Sequence, residues 1–400
     1  MNKLASHNIR LVYLFSFFRM FLVIIPIIVP YMEGLGLSMR EIFILQATFG
    51  IVVAIFEVPS GYACDIIGRK KTLVIGSFFS GLGFAWLYFC HSFWQLILFE
   101  GLIGFAMAMV SGADFSLLYD SIPHDDSFRS LKTHAVAKIQ WAKTGAEAIG
   151  SCLSGLLMAS GVQVILFAQV IAGWIPFFVS LFFIEPPRKR MEHSHGENLK
   201  RIWRHIFIND KFVRLIFVNL VIWGLSTFIA VWMFQKYWLE EGISIKYFGF
   251  IWAGYNLSVG LVGNQVHWLE KRFGAIPLLV GLSLLPVAGY LSMGYLHGWI
   301  GVTCGLLFQF GRGITQVILK DALNWRTPNE FRATVNSFIS LFFRLGFFII
   351  GPGVGYLIDR AGIQSAFTTL GIAFFILTFI ITLPLIREVK KTIGNNEIPS

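Results

Sequence analysis

Runs of about 20 mostly apolar residues, the length an α-helix needs to cross the hydrocarbon core of a bilayer, recur along almost the whole chain. They fall near residues 11–31, 41–63, 72–90, 94–119, 136–158 and 163–184, and again near 212–235, 246–266, 275–294, 298–319, 333–357 and 364–385. A helix that is apolar on every side has to be buried or immersed in lipid, so a long succession of such runs excludes a soluble domain. The expected fold class is an all-α polytopic membrane protein with twelve transmembrane helices. Composition agrees: hydrophobic residues make up 56% of the chain and charged residues 14%, and the mean hydropathy is +0.69. The first run has no small-residue cleavage site behind it, so it reads as a retained helix and not a signal peptide.

A net charge of +10 could point to nucleic acid. The cations, however, lie in short loops beside the apolar runs, where the positive-inside rule puts them on the cytoplasmic side. Placing the N-terminus inside gathers Lys3, Arg10, Arg69, Lys70, Lys71, Arg129, Lys132, Lys271, Arg272, Arg326, Arg332, Arg387, Lys390 and Lys391 there. The opposite loops keep only Arg40, Lys236, Lys246 and Arg360. Both termini are therefore expected in the cytoplasm, in a multi-pass protein of a bacterial inner membrane, with the lipid bilayer and not nucleic acid as its surroundings. Cys64, Cys90, Cys152 and Cys304 lie in or beside the spans without paired spacing, so neither a disulfide framework nor a zinc site is indicated. His193 and His195, flanked by Glu192 and Glu197, are metal-ligating residue types, but they sit in a polar linker that fixes no geometry. No metal and no cofactor is expected.

The one long polar stretch separates two sets of six spans, giving an N-terminal bundle over 1–185, a cytoplasmic linker over 186–211, a C-terminal bundle over 212–391 and a tail over 392–400. The two sets echo each other at a spacing of about 201 residues, the mark of a repeated bundle. Gly145, Gly150, Gly161 and Asp120 match Gly346, Gly351, Gly362 and Asp321, and Phe128-Arg129 matches Phe331-Arg332.

Between the second and third spans stands Gly61-Tyr-Ala-Cys-Asp65-Ile-Ile-Gly68-Arg69-Lys70-Lys71. Gly61 would let helices approach closely, and Gly68 would allow a tight turn. Asp65 lies near a helix C-terminus, where the dipole disfavours a carboxylate, so it needs cationic or backbone donors. This G-x-x-x-D-x-x-G-R-K-K pattern resembles the loop between helices 2 and 3 of major facilitator superfamily transporters. An eroded copy appears at Gly263, His267, Lys271 and Arg272, so the resemblance covers nearly the whole chain. It implies the major facilitator fold, two pseudo-symmetric six-helix bundles about a central cavity, usually as a monomer. It further implies that Asp65, Arg69 and Asp120, with Gly61, Gly68 and Lys70, form a latch on the cytoplasmic side.

Ionisable residues within spans are expensive and are functional candidates by default. Arg19 and Glu57 fall at similar depth with opposite charge and are candidate partners. Asp114 and Glu100 lie on the fourth span, and Lys143 and Glu147, spaced for pairing on one helix face, on the fifth. Glu57, Asp114 and Glu147 are the candidates for proton coupling. In the second half the deep charges are Arg312 and Arg344, which suit an anionic group held by forked hydrogen bonds, with Asn256 and Gln309 as further polar contacts. Asn219, Gln316 and the tryptophans Trp223, Trp232 and Trp252 serve either the pocket or packing. Arg19 joins the substrate-contacting set. Each of these charges could instead only neutralise another.

Two departures bear on the kind of transporter. Drug–proton antiporters of the family often show an Arg on helix 4, where this chain has Glu100, and a G-P-x-x-G-G signature on helix 5. The corresponding stretch here, Gly150 to Gly155, lacks the proline. The expected function is a proton-coupled secondary active transporter of a small organic solute, anionic or zwitterionic, with a metal chelate or siderophore as one case. The alternative is a drug/proton antiporter exporting amphipathic cationic compounds. An enzyme is not expected, because no G-x-S-x-G, H-E-x-x-H, P-loop or dinucleotide fingerprint is present.

Overall fold

The structure, a computed structural model, describes residues 3–123, 128–186, 210–328 and 332–394. Most of the linker expected over 186–211, including His193 and His195, lies outside the described residues, as does the tail beyond residue 394. Among the described residues every regular element is a helix, so the fold class is as expected. Among the described residues eight helices are long and apolar enough to cross a membrane. The chain divides into two compact units, one of Met1–Met191 with Ser244–Gly254 and one of Glu192–Ile243 with Tyr255–Ser400.

The first unit contains α1 (Lys3–Arg19), α2 (Ile28–Gly34), α3 (Met39–Ile67), α4 (Arg69–Leu87), α5 (Phe93–Val110), α6 (Ala113–Ser121), α7 (Arg129–Leu157) and α8 (Val162–Leu181). The long α3 starts on a capping box: the Ser38 hydroxyl accepts from Glu41 N–H, while the Glu41 carboxylate accepts from Ser38 N–H. Small residues let α3 and α5 pack closely. A Cβ on Gly104 would stand 3.0 Å from Val52 Cβ and 3.1 Å from the Phe49 carbonyl oxygen.

Two spans expected to be continuous are broken. The first stops at Arg19 and resumes only with a 3₁₀ turn at Ile25–Ile27, followed by α2. Pro26 accounts for much of this, since proline lacks the N–H a continuing helix would use and disfavours helical geometry in the residue before it. Backbone groups freed by the break need partners, because lipid supplies none. Gln169 of α8 supplies one: its buried Oε1 accepts from Val23 N–H at 2.6 Å and from Ile24 N–H at 3.3 Å. The fourth span breaks between α5 and α6 at Ser111 and Gly112. Gly112 has φ +82°, a left-handed conformation that side chains other than glycine's seldom tolerate.

The second unit contains α9 (Lys211–Glu240), most of α10 (Phe248–Phe273), α11 (Ala275–Tyr295), α12 (Gly298–Cys304), α13 (Leu306–Ile314), α14 (Lys320–Arg326), α15 (Arg332–Ala361), α16 (Ile363–Leu377) and α17 (Leu383–Gly394). π-Helical turns join α13 to α14 at Thr315–Leu319 and α16 to α17 at Thr378–Thr382. Asn219 on α9 serves the second of these. Its amide donates to the Ile381 carbonyl at 3.0 Å, and its Oδ1 accepts from Thr382 at 2.8 Å and Trp223 Nε1 at 3.1 Å. With Asn219 fully buried, this network is a helix-to-helix staple, which places Asn219 and Trp223 in the packing and not in a pocket.

At the end of this unit remote from Lys211, one carboxylate ties three connections. Glu241, just beyond α9, accepts from Gly298 N–H at 2.7 Å, His297 Nδ1 at 3.0 Å and Gln364 Nε2 at 3.2 Å. Its burial works against the charged form, but those three donors outweigh it and hold the Glu241 carboxyl below the usual glutamate range. A carboxyl depressed in the folded state stabilises fully above its ordinary pKa, 4.5, and loses that contribution as pH falls through the folded value. Acid unfolding is therefore expected to steepen below about pH 4.5. Glu241→Gln is expected to be less stable at pH 7 and to lose that part of the pH dependence. A variant with an unchanged acid limb would show that the knot does not titrate.

Candidate functional site

Two charged clusters occupy the first unit, one at the α3–α4 loop and one deeper, where the broken spans meet α7.

At the loop, α3 ends at Ile67 and Gly68 turns the chain at φ +107°, so that α4 begins directly at Arg69. The Arg69 guanidinium donates through Nη1 to Asp65 Oδ1 at 2.6 Å and to the Cys64 carbonyl at 3.0 Å. Through Nε it donates to Asp120 Oδ2 of α6 at 3.1 Å. The Asp65–Arg69–Asp120 constellation is thus assembled, with Arg69 largely buried at 17% side-chain exposure. Lys70 contributes its backbone. The N–H groups of Arg69 and Lys70 both donate to the Glu185 carboxylate, each at 2.8 Å. Glu185 follows α8 and so closes the N-terminus of α4, where orphan N–H groups and the helix dipole favour an anion. Sequence reasoning missed Glu185. Its signal was a lone acid between an apolar run and Pro186-Pro187. Gly61 is exposed, with nothing within 4 Å of where a Cβ would lie, so the close helix approach expected there is not made in this structure.

At the corresponding place in the second unit an imidazole, His267, stands where the first has the Asp65 carboxylate. His267 Nε2 lies 3.6 Å from Asp321 Oδ2 and its Nδ1 3.8 Å from Glu270 Oε2. All three side chains are exposed, at 66%, 63% and 41%, so solvent screens the pairing and it holds little.

The deeper cluster centres on Asp114. It sits in the first turn of α6, just past the Gly112 break, and its Oδ1 accepts from Phe115 N–H at 2.8 Å. Its other oxygen faces two cations: Arg19 Nη1 at 3.5 Å and Lys143 Nζ at 3.3 Å. Arg19 is the last residue of α1, at the other helix break, and Lys143 projects from the unbroken α7 with its ammonium 4.8 Å from the centre of the Phe115 ring. Side-chain exposures are 4% for Asp114, 15% for Arg19 and 16% for Lys143. Sequence depth suggested Glu57 for Arg19 and helical spacing suggested Glu147 for Lys143. The structure sets both cations on Asp114. Two half-buried acids, Glu57 on α3 and Glu147 on α7, belong to the same unit. Glu100 is buried at 4% and its carboxylate accepts from Gln46 Nε2 of α3 at 2.6 Å, a helix-to-helix contact.

The second unit holds the other candidates. Arg312 on α13 stands just before a π-helical turn, a local widening that recurs at functional sites. Gln309, one turn earlier, is 3% exposed, and its Oε1 accepts no hydrogen bond among the described residues. Arg344 on α15 donates through Nε to Ser340 Oγ at 3.2 Å. Asn256 on α10 is half-buried. Among the described residues no group of His, Cys, Asp and Glu side chains is arranged to hold a metal ion.

Comparison with known proteins agrees with this architecture. A protein named "Uncharacterized MFS-type transporter YxaM", from Bacillus subtilis, is 24% identical over 378 residues, covering 91% of this chain and 92% of its own. "Uncharacterized MFS-type transporter MJ1560", from Methanocaldococcus jannaschii, is 21% identical over 380 residues, covering 92% and 95%. Among solved structures, the nucleoside transporter NupG superposes with a TM-score of 0.76 at 12% identity, covering 96% of this chain and 99% of that one. A D-xylose-proton symporter gives 0.70 at 14% identity, covering 93% and 96%. At such identities the structural likeness speaks for the fold alone. The family model described as Major Facilitator Superfamily matches residues 10–350, and the chain, a multi-pass membrane transporter, belongs to that superfamily.

Proposed function

We propose that this transporter moves a small anionic or zwitterionic organic solute across the cytoplasmic membrane by proton-coupled alternating access, as a monomer with both termini in the cytoplasm. The observation that carries the reading is the convergence of Arg19 and Lys143 on the single carboxylate of Asp114. Two cations on one acid leave positive charge in a region where charge is expensive, and a substrate anion would neutralise it. The discontinuous first and fourth spans favour the same place, since transporter sites commonly form where helices unwind. In the second unit the residues we assign to solute contact are Arg312, Arg344, Asn256 and Gln309.

Coupling follows from the shared acid. With Asp114 ionised, Arg19 and Lys143 are engaged. A proton on Asp114 releases both cations to a carboxylate or phosphate of the solute, so proton and anion occupy the site together. Glu57 and Glu147 pass the proton onward. Asp65, Arg69 and Asp120, reinforced by Glu185, latch the cytoplasmic side in one state.

The test uses proteoliposomes containing a pH-sensitive dye and a panel of organic anions beside amphipathic cationic drugs. At least one anion is expected to drive proton movement, reduced at least tenfold by Lys143→Met or Arg344→Ala and abolished by Asp114→Asn. Proton movement driven by the cationic drugs alone, indifferent to Lys143→Met and Arg344→Ala, would overturn the anionic reading and favour antiport of drugs.

A further inference from the structure

A basic cleft opens at the end of the second unit that carries the start of α9 and the C-terminal helix α17. Its volume is about 420 Å3, and it is lined by Lys211, Pro384, Arg387, Glu388, Lys390 and Lys391. Lys211 Nζ lies 3.2 Å from Glu388 Oε2, so the one carboxylate of the cleft is already engaged. Arg387, Lys390 and Lys391 have no ion-pair partner among the described residues, and all three are exposed. A further cation stands close by, with the Arg326 guanidinium 4.2 Å from the centre of the Phe212 ring, next to Lys211.

Helix α17 is amphipathic, but its apolar side is used within the protein: Leu385 and Val389 are 1% and 6% exposed. What it turns outward is charge. Immediately before it, the same helical passage leaves Ile376, Phe379 and Ile380 exposed at 53%, 55% and 60%, as a surface for hydrocarbon. The cleft therefore sits where an apolar band gives way to concentrated positive charge, the level of lipid headgroups. A soluble anion would have no use for the apolar band, whereas a phospholipid would meet both surfaces at once.

We propose that this cleft binds the phosphate-bearing headgroup of an anionic phospholipid, with Arg387, Lys390 and Lys391 holding the phosphate and the acyl chains running along Ile376, Phe379 and Ile380. The Lys211–Glu388 pair forms one wall and sets the local charge. This site is separate from the solute site and needs only that the Lys211 end of the unit lies at the bilayer surface.

The full-length protein is purified in detergent and titrated with phosphatidylglycerol, phosphatidylcholine or inorganic phosphate, with bound lipid read by native mass spectrometry. Phosphatidylglycerol is expected to bind and phosphatidylcholine not to compete. Each cation removed from the set Arg387→Gln, Lys390→Gln, Lys391→Gln should weaken binding about fivefold, the worth of one basic residue at an anionic membrane surface. Glu388→Gln should tighten it, which keeps the test open if the triple variant fails to fold. A control that removes cations elsewhere, Lys271→Gln with Arg272→Gln, should bind as the wild type does. Equal loss in that control would reduce the effect to bulk charge, and competition by inorganic phosphate as strong as by phosphatidylglycerol would make this a phosphate site. Either result overturns the proposal, as does a Glu388→Gln variant with unchanged binding.

Discussion

Asp114→Ala is expected to destabilise the folded protein by about 3–5 kcal/mol, the cost of leaving buried charge without its partner. The size comes from the geometry. Arg19 and Lys143 both approach the same oxygen of Asp114, at 3.5 and 3.3 Å, and each is mostly shielded from water. Removing the carboxylate leaves two cations facing each other in place of an attraction. Asp114→Asn should fall between wild type and alanine, because an amide oxygen can still accept from Phe115 N–H while the charge is gone. Adding Lys143→Met to Asp114→Asn should restore part of the loss, since it removes one of the orphaned cations. Denaturant unfolding in detergent reads all three. Wild-type stability in Asp114→Ala would mean that water or lipid headgroups already solvate these cations.

Arg69→Ala should loosen the end of the first unit that carries the α3–α4 loop, and the chain carries its own reporter. Cys64 is 7% exposed and its carbonyl accepts from Arg69 Nη1 at 3.0 Å. A charge-assisted hydrogen bond contributes roughly 1.5–3 kcal/mol; with Asp65 59% exposed and its pairing screened, the net loss is about one such bond, which should raise the open population about 10–150-fold. With Cys90, Cys152 and Cys304 changed to serine, the rate of maleimide labelling at Cys64 should rise by that factor. Glu185→Ala should act in the same direction but less, at about 1 kcal/mol for an uncapped helix end. Labelling as slow in Arg69→Ala as in wild type would remove the latch role.

Much of this was legible in the sequence because bilayer physics leaves few choices. About twenty apolar residues specify a span, and the Gly61 to Lys71 loop carries a pattern too particular for chance. Its Asp65–Arg69 pair lies within one helical turn, where sequence spacing predicts contact, while Asp120, 51 residues away, is legible only through the family resemblance. The deep cluster was harder. Depth alone matched Arg19 to Glu57, because counting residues along two straight helices puts them at equal height. Neither the break after Arg19 nor the one at Gly112 enters such a count, although Pro26 and Gly112 mark both places. Once the helices break, the end of α1 and the first turn of α6 meet, and Asp114 becomes the acid in reach. Gln169 was invisible, and Glu185 marked only by its place before Pro186-Pro187, for a related reason. Each serves backbone N–H groups more than a hundred residues away, and a backbone donor leaves no trace in side-chain patterning.

The interruption after Arg19 also bears on how the protein is made. Helix α1 has 17 residues and begins at Lys3, a rise of about 26 Å at 1.5 Å per residue. That is short of the roughly 30 Å of hydrocarbon it would have to cross alone. Of those residues, only the part from Leu11 onward belongs to the apolar run, and it ends on an arginine. Helix α1 taken by itself is thus a poor candidate for independent partitioning into lipid. The N–H groups freed beyond it, at Val23 and Ile24, find their acceptor on Gln169 of α8. Stable insertion of α1 and the break behind it therefore waits on α8.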